Sequence, residues 1–294
     1  MPVAYALGAM TLRVLYIGEV VGKSGVYCVK TLLPGLKRER GIDLTIAAVE
    51  GATGGFGIGK GHAAYLHKLG VDVLSTGDFA YFKRDIVGHF RHADYLLRPV
   101  NYPPSNPGRG WLVTDTEPPL GVVTALGLAG LPRVHLRNPF EQLPRTIQQI
   151  KTKTPLVLVD FHATTTAEKA TMFAYLDGHV AAVIGSHTRV LSADDRILPG
   201  GTAVITHAGR TGSLDSVGGL DPEVETRKML TQILEQSKEA WQTLELQGVL
   251  LELGEDGRAL SIERLRMPCP DPPAESHAEQ PPDSAPTEAA AATG

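Results

Sequence analysis

Short apolar runs alternate with helical patterns along most of the chain, and this alternation constrains the fold more than any other feature of the sequence. The runs are continuously apolar, which is typical of strands buried on both faces of a largely parallel sheet. We therefore predict an α/β fold. The predicted strands are 12–18, 43–50, 71–76, 155–162, 180–187 and 202–207, with two further strands, for which we favour antiparallel pairing, at 121–127 and 248–254. The predicted helices are about 25–40, 60–69, 83–92, 140–151, 165–176 and 222–240.

The composition of the chain indicates which kinds of molecule it binds. Hydrophobic residues make up 43% of the 294 residues and charged residues 20%, as in soluble globular proteins. A net charge of −4 without a basic face gives no strong signal for nucleic acid. No apolar run approaches the ~20 residues that span a membrane. We expect a small-molecule partner, and a homo-oligomer stays open. Two cysteines, Cys28 and Cys269, predict no disulfide framework and a cytoplasmic location.

The two ends of the chain differ from its body. Residues 1–11 are interpreted as a short N-terminal extension, and residues 12–267 as one domain. Seven of the 21 prolines lie in the last 27 residues, together with Ala, Glu and Ser. Because such a composition buries too little apolar surface to fold, we predict that residues 268–294 form a disordered tail.

Acidic residues and histidines recur where the predicted strands end. In open α/β sheets, binding sites assemble at the carboxyl ends of the strands. One such residue would be an ordinary loop residue, whereas five on successive strand ends favour a metal site. The five are Glu19, Glu50, Asp78, His162 and His187.

Two neighbouring motifs have simpler explanations. The segment from Gly54 to Lys60 matches a phosphate-binding loop, but Gly61 stands where a Ser or Thr hydroxyl should bind magnesium, which favours a flexible connection. In "GSHTRVLSADD", His187 and Arg189 are two residues apart and can face the same side. The alternative for Arg189 is a surface salt bridge to Asp194 or Asp195.

Seven segments in order resemble the YmdB-like family of calcineurin-type metallophosphoesterases, from about Leu12 to Arg266. They are VLYIGEVVGKSG, VEGATGGFGIG, STGDFAYFKRDI, LRPVNYP, VDFHATTTAEK, VIGSHTRVLSADDRILPGGTA and GRTGSLDSVGG. The resemblance implies a sandwich of two mixed β-sheets flanked by α-helices. It also implies a dinuclear metal centre that hydrolyses phosphomonoesters or phosphodiesters, including cyclic nucleotides.

The chain departs from the family pattern mainly on one side of that centre. The residues that match or replace ligands of one metal are Glu50, Asp78, His162 and His187. At the other metal, Glu19 replaces an Asp, Gly51 an Asn and Arg189 a His. A guanidinium cannot coordinate a cation because it stays protonated. The resemblance therefore implies one iron, manganese or zinc ion per chain, with Glu19 as an additional candidate ligand and a second site doubtful.

The position of the family's acid catalyst is Phe79, which cannot protonate a leaving group. His207 and His62 are the candidates for a substitute acid, and no catalytic residue is assigned with certainty. Arg189 is predicted to bind phosphate oxygens. We expect a weak or specialised phosphoesterase acting on a phosphate ester or nucleotide. The alternative is an inactive paralogue that binds metal or phosphate and acts as a regulatory protein.

Overall fold

The computed structural model describes residues 10–131 and 136–272, and these residues form two mixed sheets with helices on their outer faces. The strands are β1 (Thr11–Ile17), β2 (Glu19–Val20), β3 (Leu44–Ala48), β4 (Val73–Ser75), β5 (Leu96–Leu97), β6 (Trp111–Val113), β7 (Gly121–Leu126), β8 (Val157–His162), β9 (Ala182–Ser186), β10 (Arg196–Ile197), β11 (Ala203–Ile205), β12 (Arg210–Ser213), β13 (Leu244–Gly254) and β14 (Ala259–Pro268). The helices are α1 (Gly22–Arg40), α2 (Lys60–Lys68), α3 (Arg84–His89), α4 (Pro139–Lys151), α5 (Thr166–Leu176) and α6 (Pro222–Thr231).

The first sheet has the order β2-β12-β13-β1-β3-β4-β5, with β14 paired to β13. Strands β1, β3, β4 and β5 are parallel, whereas β13 runs antiparallel to β1 and β14. The second sheet has the order β10-β11-β9-β8-β7-β6, with β7, β8, β9 and β11 parallel. The predicted sandwich of two mixed sheets is confirmed.

Three apolar clusters hold these layers together. Side chains of β1 alternate between two of them: Val14 and Tyr16 face the second sheet, whereas Leu15 and Ile17 face α1 and α2. The third cluster lies between the second sheet and helices α4 and α5. Both faces of the central strands are therefore buried, which explains their continuous apolar runs.

The helix ends follow the local sequence. Thr165 caps the start of α5, where its side-chain hydroxyl accepts a hydrogen bond from the Glu168 amide at 3.2 Å. Helix α6 ends at Thr231, nine residues before the predicted end at 240. The cause is local: Gln232 adopts a left-handed conformation, and the following segment pairs with the loop before α6 through the Asp221 amide and the Lys238 carbonyl.

Two further details differ from the expectations. Strand β7 was expected to pair antiparallel, but it is parallel to β8 and antiparallel only to the short β6. At the carboxyl end, β14 continues to Pro268, and the buried Cys269 donates its amide to the Leu244 carbonyl at 2.8 Å. Most of the predicted tail, residues 273–294, and residues 1–9 of the predicted extension lie outside the described residues.

Cys28 and Cys269 are both buried and form no disulfide. Among the described residues, no helix combines the length and apolar character needed to cross a lipid bilayer.

Candidate metal centre

The carboxyl ends of strands from both sheets meet at one edge of the sandwich. Glu50 and Asp78 follow β3 and β4 of the first sheet, while His162 ends β8 and His187 follows β9 of the second. Three of these side chains converge: one ligand atom each from Asp78, His162 and His187 lies within 4.8 Å of the others. The convergence expected at the strand ends therefore brings together an acidic residue from the first sheet and two histidines from the second.

The three ligand atoms form a small triangle. Its sides are 3.1 Å from His162 Nε2 to Asp78 Oδ1, 3.0 Å from His187 Nδ1 to His162 Nε2, and 3.8 Å from His187 Nδ1 to Asp78 Oδ1. Ligands about 2.1 Å from one shared ion lie roughly 3.0 to 3.4 Å apart, so two sides of the triangle match this spacing and the side from His187 to Asp78 is somewhat longer. A carboxylate with two imidazoles is also a donor set that suits iron, manganese or zinc. The residues present therefore fit one metal ion.

Hydrogen bonds on the side away from Asp78 orient the imidazole of His162. Its Nδ1 contacts Ser186 Oγ at 3.0 Å, and that hydroxyl donates to Asp160 Oδ1 at 2.7 Å. The second Asp160 oxygen accepts from Ser75 Oγ. Because Nδ1 contacts Ser186, the other ring nitrogen, Nε2, points towards Asp78. Residues behind a metal-binding histidine commonly fix the orientation of its ring in this way. Sequence reasoning missed Asp160, although it lies two residues before His162 and so on the same strand face.

The glycine before Asp78 is required by the close approach of this imidazole. A Cβ atom at Gly77 would overlap the His162 ring. His187 has a φ of 100° and Arg189 a φ of 57°, and such positive values are strained in residues other than glycine. Strain at two residues that both aim side chains into this edge supports a functional role for the loop after β9.

The protonation of the two histidines follows from their neighbours. Burial lowers the pKa of His187 to about 4, helped by the charges of His162 and Lys169, so its imidazole is neutral at pH 7 and has a free lone pair. Burial also acts to lower the pKa of His162. The hydrogen bond to Asp78 and the charge of Glu50 outweigh this, so the pKa of His162 is raised.

Glu50 lies against the same corner but outside the triangle. Its two carboxylate oxygens accept hydrogen bonds from the backbone amides of Gly77 and Phe79. Burial raises the pKa of Glu50 to about 8 despite the opposing charge of His162. Its predicted role as a ligand stays a prediction.

Arg189 lies on the other side of the edge and is bonded by three of its five N–H groups. Its Nε donates to Glu19 Oε1 at 2.8 Å, Nη1 to the Gly218 carbonyl at 2.8 Å, and Nη2 to the Gly55 carbonyl at 2.7 Å. The alternative salt bridge to Asp194 or Asp195 is wrong. Glu19 is almost fully buried, so the guanidinium supplies the positive charge that this carboxylate needs.

Gly51 makes room for this guanidinium. A Cβ atom at residue 51 would lie 2.8 Å from Arg189 Nη2 and 3.1 Å from Val21 Cγ2. Asparagine, expected there from the family pattern, would collide with Arg189. The three departures at Glu19, Gly51 and Arg189 are therefore parts of one arrangement, in which an ion pair fills the space on this side of the site.

The two candidate acids contact other groups. His62 Nδ1 lies 2.7 Å from Thr53 Oγ1 within the glycine-rich connection. His207 Nδ1 lies 2.7 Å from Lys169 Nζ, and burial lowers the pKa of His207 to about 4. Neither of these two contacts involves a residue of the triangle, and the assignment of His62 and His207 as acids stays a prediction.

Lys169 is a second residue that sequence reasoning missed. It is fully buried on α5, and its Nζ also donates to the Ser186 carbonyl at 2.7 Å. Burial lowers its pKa from 10.5 to about 7. The signal was a lysine on the helix face that packs against the sheet, seven residues after His162.

Comparison with known proteins decides the family. A family model described as "YmdB-like protein" matches residues 15–265. The chain belongs to the YmdB-like family. The 2',3'-cyclic-nucleotide 2'-phosphodiesterase of Bacillus subtilis is 34% identical over 256 residues, covering 86% of this chain and 96% of that protein.

Two solved structures extend the comparison to the fold. A phosphatase from Mycoplasma pneumoniae has a TM-score of 0.83 and 31% identity, with 90% of this chain and 96% of that chain covered. A hypothetical protein from Thermus thermophilus has a TM-score of 0.81 and 32% identity, with 88% of this chain and 100% of that chain covered. This YmdB-like chain therefore shares its fold with both solved structures, and the match covers almost the whole length of each of them.

Proposed function

We propose that this protein is a metal-dependent phosphodiesterase with a single-metal site that acts on small phosphate esters, including cyclic nucleotides. The triangle of Asp78, His162 and His187 is the observation that carries the proposal. The name of the Bacillus subtilis relative supports the substrate class. A cytoplasmic location is part of the proposal and agrees with two buried, unpaired cysteines.

Asp78, His162 and His187 would hold the ion, with Glu50 as a further ligand. When bound, iron, manganese or zinc would polarise a phosphoryl oxygen and lower the pKa of a water to ~7. The chain's own contribution is orientation: Ser186 and Asp160 hold His162 in the tautomer that leaves Nε2 free for coordination.

Arg189 is proposed to bind the phosphate. Three of its N–H groups donate to the protein, which leaves two of five for a substrate oxygen. Its side chain is 15% exposed, so it is not sealed off from solvent. A fixed, charge-assisted donor would stabilise negative charge on the phosphoryl oxygens.

Phe79 limits the reaction. Without a proton donor at this position, an alkoxide leaving group departs unassisted, and loss of a general acid costs ~10²–10⁴ in rate. We therefore expect faster turnover of aryl diesters, whose leaving groups need no proton, than of ribose esters.

The second candidate function is a binding protein without turnover. Phe79 and the Glu19–Arg189 pair favour it, since both remove features that a two-metal hydrolase uses. Such a protein would bind one metal and a phosphate ligand at the same edge.

Turnover of bis(p-nitrophenyl) phosphate and of 2',3'-cyclic AMP with Mn²⁺ separates the two candidates. In a hydrolase, His162→Ala should abolish turnover, and the exposed surface change His92→Ala should leave it intact. Metal binding without turnover would support the binding protein. A chain that binds no metal would contradict both.

A further inference from the structure

Three phenylalanine rings are in contact beside the candidate metal centre. Phe79 lies 5.4 Å from Phe56 and 5.2 Å from Phe82 between ring centroids, with interplanar angles of 50° and 82°. Phe56 comes from the glycine-rich loop after β3, and the other two come from the corner after β4. We refer to Phe56, Phe79 and Phe82 as the phenylalanine cluster.

Two residues of the phenylalanine cluster, the central Phe79 and the terminal Phe56, lie next to groups of the site. Phe79 directly follows Asp78, and its amide donates to the Glu50 carboxylate. At one end of the cluster, Arg189 Cζ lies 5.9 Å from the centroid of the Phe56 ring. The cluster therefore extends from the Asp78 corner to the guanidinium proposed to bind phosphate.

The rings are exposed yet held in place. Phe56 is 36% exposed and Phe82 is 51% exposed. Beneath them, a Cβ atom at Gly57 would lie 3.1 Å from Phe82 Cβ and 3.3 Å from the Phe79 carbonyl oxygen, so the loop packs closely against the corner. An exposed apolar surface supported by packed backbone is pre-formed for a ligand.

Cations lie at both ends of the phenylalanine cluster. Lys83 Nζ is 5.5 Å from the centroid of the Phe82 ring, and Arg189 lies beside Phe56. A row of aromatic rings next to cationic groups is the arrangement with which proteins bind nucleotides, because bases stack on the rings and phosphates pair with the cations. An uncharged apolar ligand would use the rings but not the cations.

We propose that the phenylalanine cluster binds the base of a nucleotide whose phosphate lies at Asp78, His162 and His187. The protein then discriminates nucleotide esters from phosphate esters that lack a base. This inference rests on the proposed function for the place of the phosphate, and it assigns substrate preference to Phe56, Phe79 and Phe82.

Calorimetry on the Mn²⁺-loaded full chain tests it with two probes that differ only in the base. AMP should bind roughly tenfold or more tightly than ribose 5-phosphate. Phe56→Ala and Phe82→Ala should each weaken AMP binding by roughly 5-fold to 100-fold and leave ribose 5-phosphate binding unchanged. Phe82→Trp should retain AMP binding. Tyr175→Ala removes an equally exposed aromatic ring on α5 and should change neither affinity.

Because calorimetry measures binding affinity, the test of the base site does not depend on whether the protein hydrolyses its ligand. Equal affinity for AMP and ribose 5-phosphate, or an AMP affinity that both phenylalanine variants leave unchanged, would overturn the base site whatever the turnover. Base-dependent binding without turnover of any ester would overturn the proposed hydrolysis and support the base site.

Discussion

Removing the guanidinium of Arg189 should expose how strongly the site depends on its ion pair. In Arg189→Met, the 2%-exposed Glu19 carboxylate loses its counter-charge, and the carbonyls of Gly55 and Gly218 lose donors at 2.7 and 2.8 Å. Breaking a buried pair from one side costs about 3–5 kcal/mol. Because Arg189 is 15% exposed, water reaches part of the gap, and we expect a loss of about 2–4 kcal/mol.

A double-mutant cycle isolates the pair. Glu19→Gln in the Arg189→Met background removes the unpaired charge, so the double variant should be more stable than the sum of the single changes predicts, by about 2 kcal/mol. Urea denaturation of chelator-treated protein measures each free energy of unfolding. The same cycle on the solvent-exposed Arg227–Glu235 pair should show a much weaker coupling, because water and salt screen it. A coupling between Glu19 and Arg189 below about 0.5 kcal/mol would refute the reasoning.

Three other changes test neighbouring features. Gly51→Asn should lower the free energy of unfolding by about 1–3 kcal/mol through its clash with Arg189, and the loss should shrink in an Arg189→His background; equal losses would contradict the fit. Ser186→Ala should weaken Mn²⁺ binding by about 10–100-fold without unfolding the chain, as calorimetry would show. Between pH ~7 and ~10 the unfolded chain binds the Lys169 proton more strongly than the folded chain, so this residue makes stability rise with pH; Lys169→Met should flatten that rise in urea denaturation, and an unchanged slope would contradict it.

The strand pattern was enough to predict where the site forms. The continuous apolar strands required a buried, largely parallel sheet, and the carboxyl ends of such strands face one edge. Asp78, His162 and His187 could therefore be expected near one another before any geometry was known. The split into two sheets came only from the family resemblance, and the order of the strands only from the structure.

The contacts that determine the chemistry of the site join residues far apart in the chain, so local sequence patterns could not predict them. Glu19 and Arg189 are 170 residues apart in sequence, and only the folded chain shows that they pair. The same holds for Gly51, whose missing side chain gains a meaning only next to Arg189. Strands of two residues, such as β5 and β10, carry too little apolar periodicity to be recognised.

Metal content is the most direct measurement of the central claim, that an ion pair takes the place of one metal and a single metal site remains. Elemental analysis of the purified, dialysed chain should find one transition metal per chain, and His187→Ala should lower that occupancy sharply because it removes one corner of the triangle. Two equivalents per chain would contradict the single-metal account, and none would contradict the metal centre itself.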